Sequence, residues 1–278
     1  MQTAAEVAGG ATPAAIPPAA TSEGTLVIKF GGTALGTASR IRAAARRVRA
    51  AVDEGYQPIV VVSATGHTTD RLLRRVRAAA ARGGAAPSLA READRALATG
   101  EDLSAALLAT ALIALGVRAV SFRGGEAGIV AGGAHGAAQP VHLIPGPLRT
   151  RLARGEVPVV SGFQAVREDG EVVTLGRGGS DVSAVFLGAE LGAVGCWIVT
   201  DVDGVYTADP RRVPGAVRLP VLDHADLLRL TRAGAEVVHP VAAELAARAS
   251  LPLRVLHHAA PRSHPTGTEV VADTGWAP

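Results

Sequence analysis

Residues 25–30 (TLVIKF) form a short apolar, β-branched run that ends on Gly31-Gly32, the pattern of a buried strand stopped by a breaker pair. From about Ser39 the period changes to that of a helix: Ile41, Ala45, Val48 and Val52 share one face, arginines take the other, and Gly55 closes it. A second strand at 58–62 leads into a small-residue loop, SATGHTTD (63–70), and another helix. Residues 101–115 predict a third helix closed by Gly116, and 157–160 a strand. A glycine-rich loop at 175–180, a helix over 181–191 and an apolar strand at 196–199 follow. Helices near 223–233 and 241–249 precede a last strand at 253–256.

Apolar strands alternating with amphipathic helices predict an α/β sandwich with a largely parallel central sheet, buried on both faces. Ligands of such sheets gather in loops at the carboxyl ends of the strands, where the glycine-rich segments fall. With 278 residues, 48% hydrophobic and only 3% aromatic, the core must be built from Val, Leu, Ile and Ala. The first 24 residues are Ala/Pro-rich and hold no Lys or Arg, so they read as a disordered tail and not as a secretory signal. With no run of about 18 apolar residues, the chain is expected to be cytoplasmic.

Charge sharpens the picture at one position. The net charge is only +3, the basic residues are scattered and aromatics are scarce, which argues against nucleic-acid binding. Of the 28 cationic residues only Lys29 is a lysine. A lysine retained in an arginine-rich chain suits a compact point charge against phosphate, a task a planar guanidinium does less well. Cys196 is the single cysteine; its apolar neighbours suggest a buried thiol. The eight histidines show no metal spacing, and the adjacent His257 and His258 would point to opposite faces of a strand.

Three loops can carry chemistry. Lys29-Phe30-Gly31-Gly32-Thr33 places a cation at a strand end before two residues that let a phosphate approach the backbone, although the same letters describe a strand turning on glycine. It is neither a Walker A sequence nor a dinucleotide fingerprint. Leu175-Gly176-Arg177-Gly178-Gly179-Ser180-Asp181 runs into a helix with Ser180 or Asp181 as N-cap, an anion site to which Arg177 adds a carboxylate-matching fork. Residues 200–211 (TDVDGVYTADPR) begin like a calcium loop. Val205 and Arg212 occupy positions where ligands should stand, so a nucleotide lid fits better.

Taken in order, VIKFGGT (27–33), VVVSATGHTTDRLL (60–73), GEDLSAALLA (100–109), GGEAGIV (124–130), SGFQ (161–164), LGRGGSD (175–181), TDVDGVYTADPR (200–211) and HP (239–240) closely resemble the catalytic domain of aspartate kinase, within the amino-acid kinase superfamily. The resemblance spans about residues 25–270. It implies an αβα sandwich with an amino-acid lobe at about 25–195, a nucleotide lobe at about 196–270 and a tail at 271–278. It implies ATP with Mg²⁺ held mainly through the nucleotide phosphates, L-aspartate as acceptor, 4-phospho-L-aspartate as product, and a place in lysine, threonine and methionine biosynthesis. A homodimer is implied, with room for a separate regulatory chain.

Carried over by position, Lys29 contacts the transferring phosphate and Asp181 orients it. Gly31, Gly32 and Thr33 line the phosphate path. Ser63, Thr69, Glu101, Phe163, Arg177 and Ser180 match the substrate site, with Glu101 on the α-ammonium and Arg177 on a carboxylate. Thr200, Asp201, Tyr206 and Arg211 match the nucleotide loop.

The chain departs from the family pattern at several points. Glu236 stands where relatives carry a second lysine, a like charge costing on the order of a few kcal/mol beside phosphates, with Arg232 or Arg211 as candidates to offset it. Ala34 and Ala165 replace a serine and a glycine, and Val182-Ser183 replaces a threonine pair. Family members commonly continue into paired ACT domains, so a stand-alone catalytic domain without its own feedback is expected. The alternatives are a kinase for another small carboxylate or amino acid, and a degenerate non-catalytic subunit of the same fold.

Overall fold

The computed structural model describes residues 24–80, 87–210, 212–235, 237–260 and 266–272. The expected tail therefore lies outside the described residues apart from Gly24, as do Arg211 and Glu236.

In chain order the elements are β1 (Gly24–Phe30), a 3₁₀ turn (Gly32–Leu35), α1 (Ala38–Asp53), β2 (Tyr56–Val62), α2 (Thr68–Ala80), α3 (Pro87–Ala114), β3 (Ala119–Phe122), β4 (Ile129–Gly132) and β5 (Gln139–Leu143). Then come α4 (Gly146–Ala153), β6 (Val157–Ser161), β7 (Gln164–Val166), β8 (Val172–Thr174), α5 (Gly179–Leu191), β9 (Gly195–Thr200), β10 (Val205–Tyr206), β11 (Arg218–Leu219) and β12 (Val221–Asp223). The chain finishes with α6 (His224–Arg232), α7 (Pro240–Ala249), β13 (Leu253–His257) and β14 (Gly267–Val271).

The main sheet has eight strands in the order β12-β14-β13-β9-β1-β2-β6-β3. Every pair from β13 to β3 is parallel, and only β13–β14 is antiparallel. The αβα architecture expected from the alternation is therefore present. Because successive side chains on a strand point to opposite faces, β1 divides its residues between two layers. Leu26, Ile28 and Phe30 pack with Ala44, Ala45 and Val48 of α1 and Leu108 and Leu112 of α3. Val27 packs with Val185 and Leu187 of α5 and Ala243 and Ala246 of α7. Lys29, two residues on, faces the same side as Val27. Cys196 is fully buried in that layer and its thiol pKa is pushed up by burial.

Several expectations are corrected. The third helix begins at Pro87, not at 101, because Gly100 is not a breaker. A Cβ there would stand 2.9 Å from the Ala64 Cβ, so glycine lets α3 pass close to the β2 loop. The four-stranded sheet β5-β4-β7-β8 was invisible as a pattern, since its strands are three to five residues long. The strand at 253–257 is not the last: β14 pairs antiparallel with it. His257 and His258 do not diverge; His258 leaves the strand in a turn, donating its N–H to the Thr200 carbonyl at 2.8 Å, and the two rings stack with centroids 4.4 Å apart.

The stretch Ser88–Ala114 of α3 is long and apolar enough, by length and composition, to cross a membrane. In this fold it is a core helix: Leu108 and Leu112 are fully buried against the sheet, and Asp94, Glu101 and Asp102 are hydrogen-bonded to neighbouring elements. Leu108→Ala is expected to cost about 2–5 kcal/mol, the transfer of a Leu side chain plus the cavity left behind. Urea unfolding should show the lower midpoint with an unchanged slope.

Candidate active site

Lys29 lies near the end of β1, between β2 and β9, and is 8% exposed. Its ammonium stands 2.7 Å from Asp181 Oδ1, a close charge contact more than an aligned hydrogen bond. A buried cation is tolerable only with such a counter-charge. Asp181 sits in the first turn of α5, where the helix dipole favours an anion. Its Oδ2 accepts the His239 backbone N–H at 3.3 Å.

The loop after β1 packs closely against its neighbours because of its glycines. A Cβ on Gly31 would lie 3.6 Å from Lys29 Nζ and 3.7 Å from Thr200 Oγ1, so these three residues share one floor. The Gly31 N–H donates to the Val199 carbonyl at 2.9 Å. A Cβ on Gly32 would stand 2.5 Å from the Ala64 carbonyl oxygen, a clash that forbids a side chain. Thr33 is exposed on the 3₁₀ turn, and its carbonyl accepts from Arg40 Nη1 at 2.8 Å.

The second loop folds onto the first: Ser63 N–H donates to Phe30 O at 3.1 Å, and Gly66 N–H to Gly32 O at 3.0 Å. Thr69 is half-buried in the first turn of α2. Glu101 on α3 is 2% exposed, and its Oε1 accepts the Ala64 N–H at 3.0 Å. Among the described residues Oε2 meets no donor. Burial pushes this carboxyl up to about 8, the Ala64 amide pulling the other way and the Asp102 charge adding to the rise. Buried and short of a second donor, this carboxyl keeps its proton at neutral pH.

The 175–181 loop closes the group. The N-cap of α5 is Gly178, at φ 68°, and neither Ser180 nor Asp181 as expected; both lie inside the helix. The reason is steric, since a Cβ on Gly178 would fall 2.2 Å from the His239 ring, which occupies that space. Ser180 packs against the end of β6, where a Cβ on Gly162 would be 3.0 Å from the Ser180 Cβ. Phe163 adopts φ 68°, and its N–H donates to Ser183 Oγ at 3.1 Å. Ser183 in turn donates to the Gly179 carbonyl at 2.9 Å. The hydroxyl at 183 thus ties the Phe163 turn to α5, while Val182 faces the core. Arg177 is exposed at the loop tip and pairs with no carboxylate among the described residues.

On the far side of β1, Thr200 ends β9 and donates from Oγ1 to Asp201 Oδ1 at 3.1 Å; Asp201 itself is exposed. Tyr206 is turned to its own hairpin, donating its hydroxyl to Asp203 Oδ1 at 2.9 Å. That acceptor pushes the phenol above its ordinary value. Arg232 is engaged elsewhere, 2.8 Å from Glu244. Lys29, Gly31, Gly32, Ser63, Glu101, Phe163, Ser180, Asp181 and Thr200 therefore border one edge of the sheet, with Arg177 at its rim and Tyr206 outside the group of contacts. Among the described residues, no three His, Cys, Asp or Glu side chains converge on a metal-sized space.

Reading by sequence missed Asp94, Asp102 and His239. Asp102 accepts from Ser161 Oγ at 2.9 Å and Gln164 Nε2 at 3.0 Å. The HP dipeptide signalled a helix start at His239, which it is, but nothing in it announced the Gly178 contact.

A profile of the amino acid kinase family matches residues 24–257. Aspartokinase 2 of Bacillus subtilis is 44% identical over 232 residues, which cover 84% of this chain and 56% of that protein. The crystal structure of aspartate kinase from Synechocystis superposes with a TM-score of 0.75 at 39% identity, over 89% of this chain and 40% of that one. E. coli aspartokinase III, in complex with aspartate and ADP, superposes with a TM-score of 0.78 at 27% identity, over 90% of this chain and 65% of that one. The chain spans about half the length of the curated relatives it matches.

The raised Glu101 pKa has a sign that can be measured. The fold keeps this carboxyl protonated where the unfolded chain has released the proton. The unfolded state then binds fewer protons, and stability falls as pH climbs from 4.5 to about 8. Glu101→Gln removes that loss. Its melting temperature should exceed wild type by on the order of 5 °C at pH 8 and by little at pH 5. A gap that stays constant with pH in thermal scans would contradict the assignment.

Proposed function

Since the chain belongs to the amino acid kinase family, we propose that it transfers the γ-phosphoryl group of ATP to the side-chain carboxylate of L-aspartate, giving 4-phospho-L-aspartate. The observation that carries this reading is the buried Lys29–Asp181 contact at 2.7 Å, beside two glycines that bring bare backbone next to the ammonium and the loop after β2. The aspartate and ADP held by the E. coli relative support the choice of ligands.

In this reading the acceptor occupies the part of the site built before about residue 195 and the nucleotide the part after it. Glu101 accepts the α-ammonium, whose positive charge draws the carboxyl back to its ionised form. Arg177, unpaired among the described residues, forks onto a carboxylate of the acceptor. Ser63, Thr69, Phe163 and Ser180 line the pocket. A carboxylate with a reference pKa near 4 is already ionised at neutral pH, so no general base is required. The chain's task is alignment and charge neutralisation.

Gly31, Gly32 and Thr33 offer backbone to the phosphates, and Lys29 neutralises charge developing on the group in transfer. Asp181, fixed by Lys29 on one oxygen and the His239 amide on the other, holds the ammonium in place. Thr200 and Asp201 border the nucleotide, with Tyr206 and Arg211 assigned to the same loop; Tyr206 contributes its ring, its hydroxyl being taken by Asp203. Mg²⁺ would arrive on the nucleotide phosphates, whose charge it would offset. We place the reaction in the cytoplasm, as one of soluble metabolism.

A hydroxamate assay for acyl phosphate, run with aspartate and Mg-ATP, tests the proposal. Lys29→Ala should lower kcat by about 10²–10³-fold, the scale of losing one preorganised electrostatic contact to the transition state. Full activity in that variant would defeat the mechanism, and no hydroxamate from wild type would defeat the substrate.

A further inference from the structure

Three of the four acidic side chains of helix α3 share one side of it: Glu101 and Asp102 lie seven and eight residues beyond Asp94. Each grips a different loop at the carboxyl edge of the sheet. Glu101 takes the Ala64 amide, and Asp102 takes Ser161 and Gln164 on either side of the Phe163 turn. Asp94 is the most deeply buried, at 1% exposure, and touches nothing assigned to chemistry. A carboxylate removed from water persists only when its lone pairs are filled. Asp94 Oδ2 accepts from His135 Nδ1 at 2.9 Å, Gly136 N at 3.0 Å and Thr174 N at 3.0 Å, and Oδ1 accepts from Thr174 Oγ1 at 2.6 Å.

Those partners define the root of one loop. Thr174 ends β8, and the next seven residues, 175–181, carry Arg177 and Asp181. The Thr174 carbonyl accepts the Ala138 N–H at 3.1 Å, and Leu175 N–H donates to Phe163 O at 2.8 Å. The Gly136 carbonyl oxygen lies 3.1 Å from where a Gly176 Cβ would stand, so the His135–Gly136 turn braces the same loop from outside. Asp181 at the far end is fixed independently, by Lys29, the His239 amide and the buried helix α5. Asp94 therefore governs the half of the loop that carries Arg177.

We propose that Asp94, acting through Thr174 and the His135–Gly136 turn, is a positioning residue that sets Arg177 for the acceptor carboxylate while leaving nucleotide binding untouched. The inference rests on the acceptor role of Arg177 proposed above. It separates from general stability because the nucleotide-facing residues Gly31, Gly32 and Thr200 hang on β1 and β9, which Asp94 does not touch.

Steady-state kinetics and calorimetric aspartate binding on Asp94→Ala, Asp94→Asn and Thr174→Val provide the test. Asp94→Ala should raise the acceptor KM and Kd by about tenfold or more, since displacements near 1 Å cost that much, with nucleotide KM within about twofold. Asn can keep three acceptor contacts on its oxygen and donate from its amide to the Thr174 hydroxyl, so Asp94→Asn should restore acceptor KM to within about threefold of wild type. Equal shifts in both KM values, or an Asn variant no better than Ala, overturn the inference. Should Asp94→Ala fail to fold, Thr174→Val removes one hydroxyl from the same root. It should raise acceptor KM severalfold with nucleotide KM unchanged, and an unmoved acceptor KM overturns the inference. A wild type that turns over no aspartate sinks the acceptor reading and this inference with it. An active wild type with an unshifted Asp94→Ala sinks this inference alone.

Discussion

An ammonium group on the central strand of a buried sheet is the constraint around which this structure is arranged. Lys29 shares β1 with Leu26, Ile28 and Phe30, yet the alternation of the strand turns it to the opposite layer, towards α5. There it would be an isolated charge in an apolar layer but for Asp181 at 2.7 Å. The start of α5 must therefore come to the end of β1. Gly178 and Gly179 allow the approach: the first yields its side-chain space to the His239 ring, and the second clears Phe163 and Leu175.

Gly31 and Gly32 bring their backbone close to the ion pair, with the β2 loop packed against Gly32 and Thr200 against Gly31. The two sides are supported by different elements. In the proposed reading the acceptor side hangs on α3, whose carboxylates fix the β2 loop, the Phe163 turn and the root of the 175–181 loop. On the side proposed for the nucleotide, the hairpin after β9 is pinned by Thr268, which accepts the Val205 N–H at 2.7 Å and donates to Leu219 O at 2.6 Å. A site whose halves are separately braced can hold two substrates in line with little reorganisation, which is what transfer of a phosphoryl group asks of a protein.

Glu101 shows what the same framework does to a buried carboxyl. The pocket that hides this carboxyl supplies one amide donor and leaves the second oxygen without one. It therefore keeps its proton at neutral pH, and in the proposed reading a cationic group of the acceptor would provide what the pocket lacks. The same burial makes the fold less stable as pH rises towards 8.

Much of this was legible in the order of residues. Strand alternation and helical period located β1, β2, β6, β9 and β13 and most of the helices to within a few residues, because buried parallel strands are continuous apolar runs that need no context. The lone lysine and the glycine pairs marked the edge of the candidate site for a related reason: absent side chains and an uncommon charge are visible one residue at a time. What the sequence could not reveal depended on partners far along the chain. That α3 continues through Gly100 follows from its passage beside Ala64, and Asp94 is one acid in a charged helix until it meets His135, Gly136 and Thr174, 41, 42 and 80 residues later. Ser180 and Asp181 are suitable N-cap residues, yet α5 starts earlier, capped at Gly178, where the His239 ring leaves no space for a side chain. Local preferences are worth about 1 kcal/mol, and a close steric contact or a buried charge outweighs them, so only the tertiary structure could decide these positions.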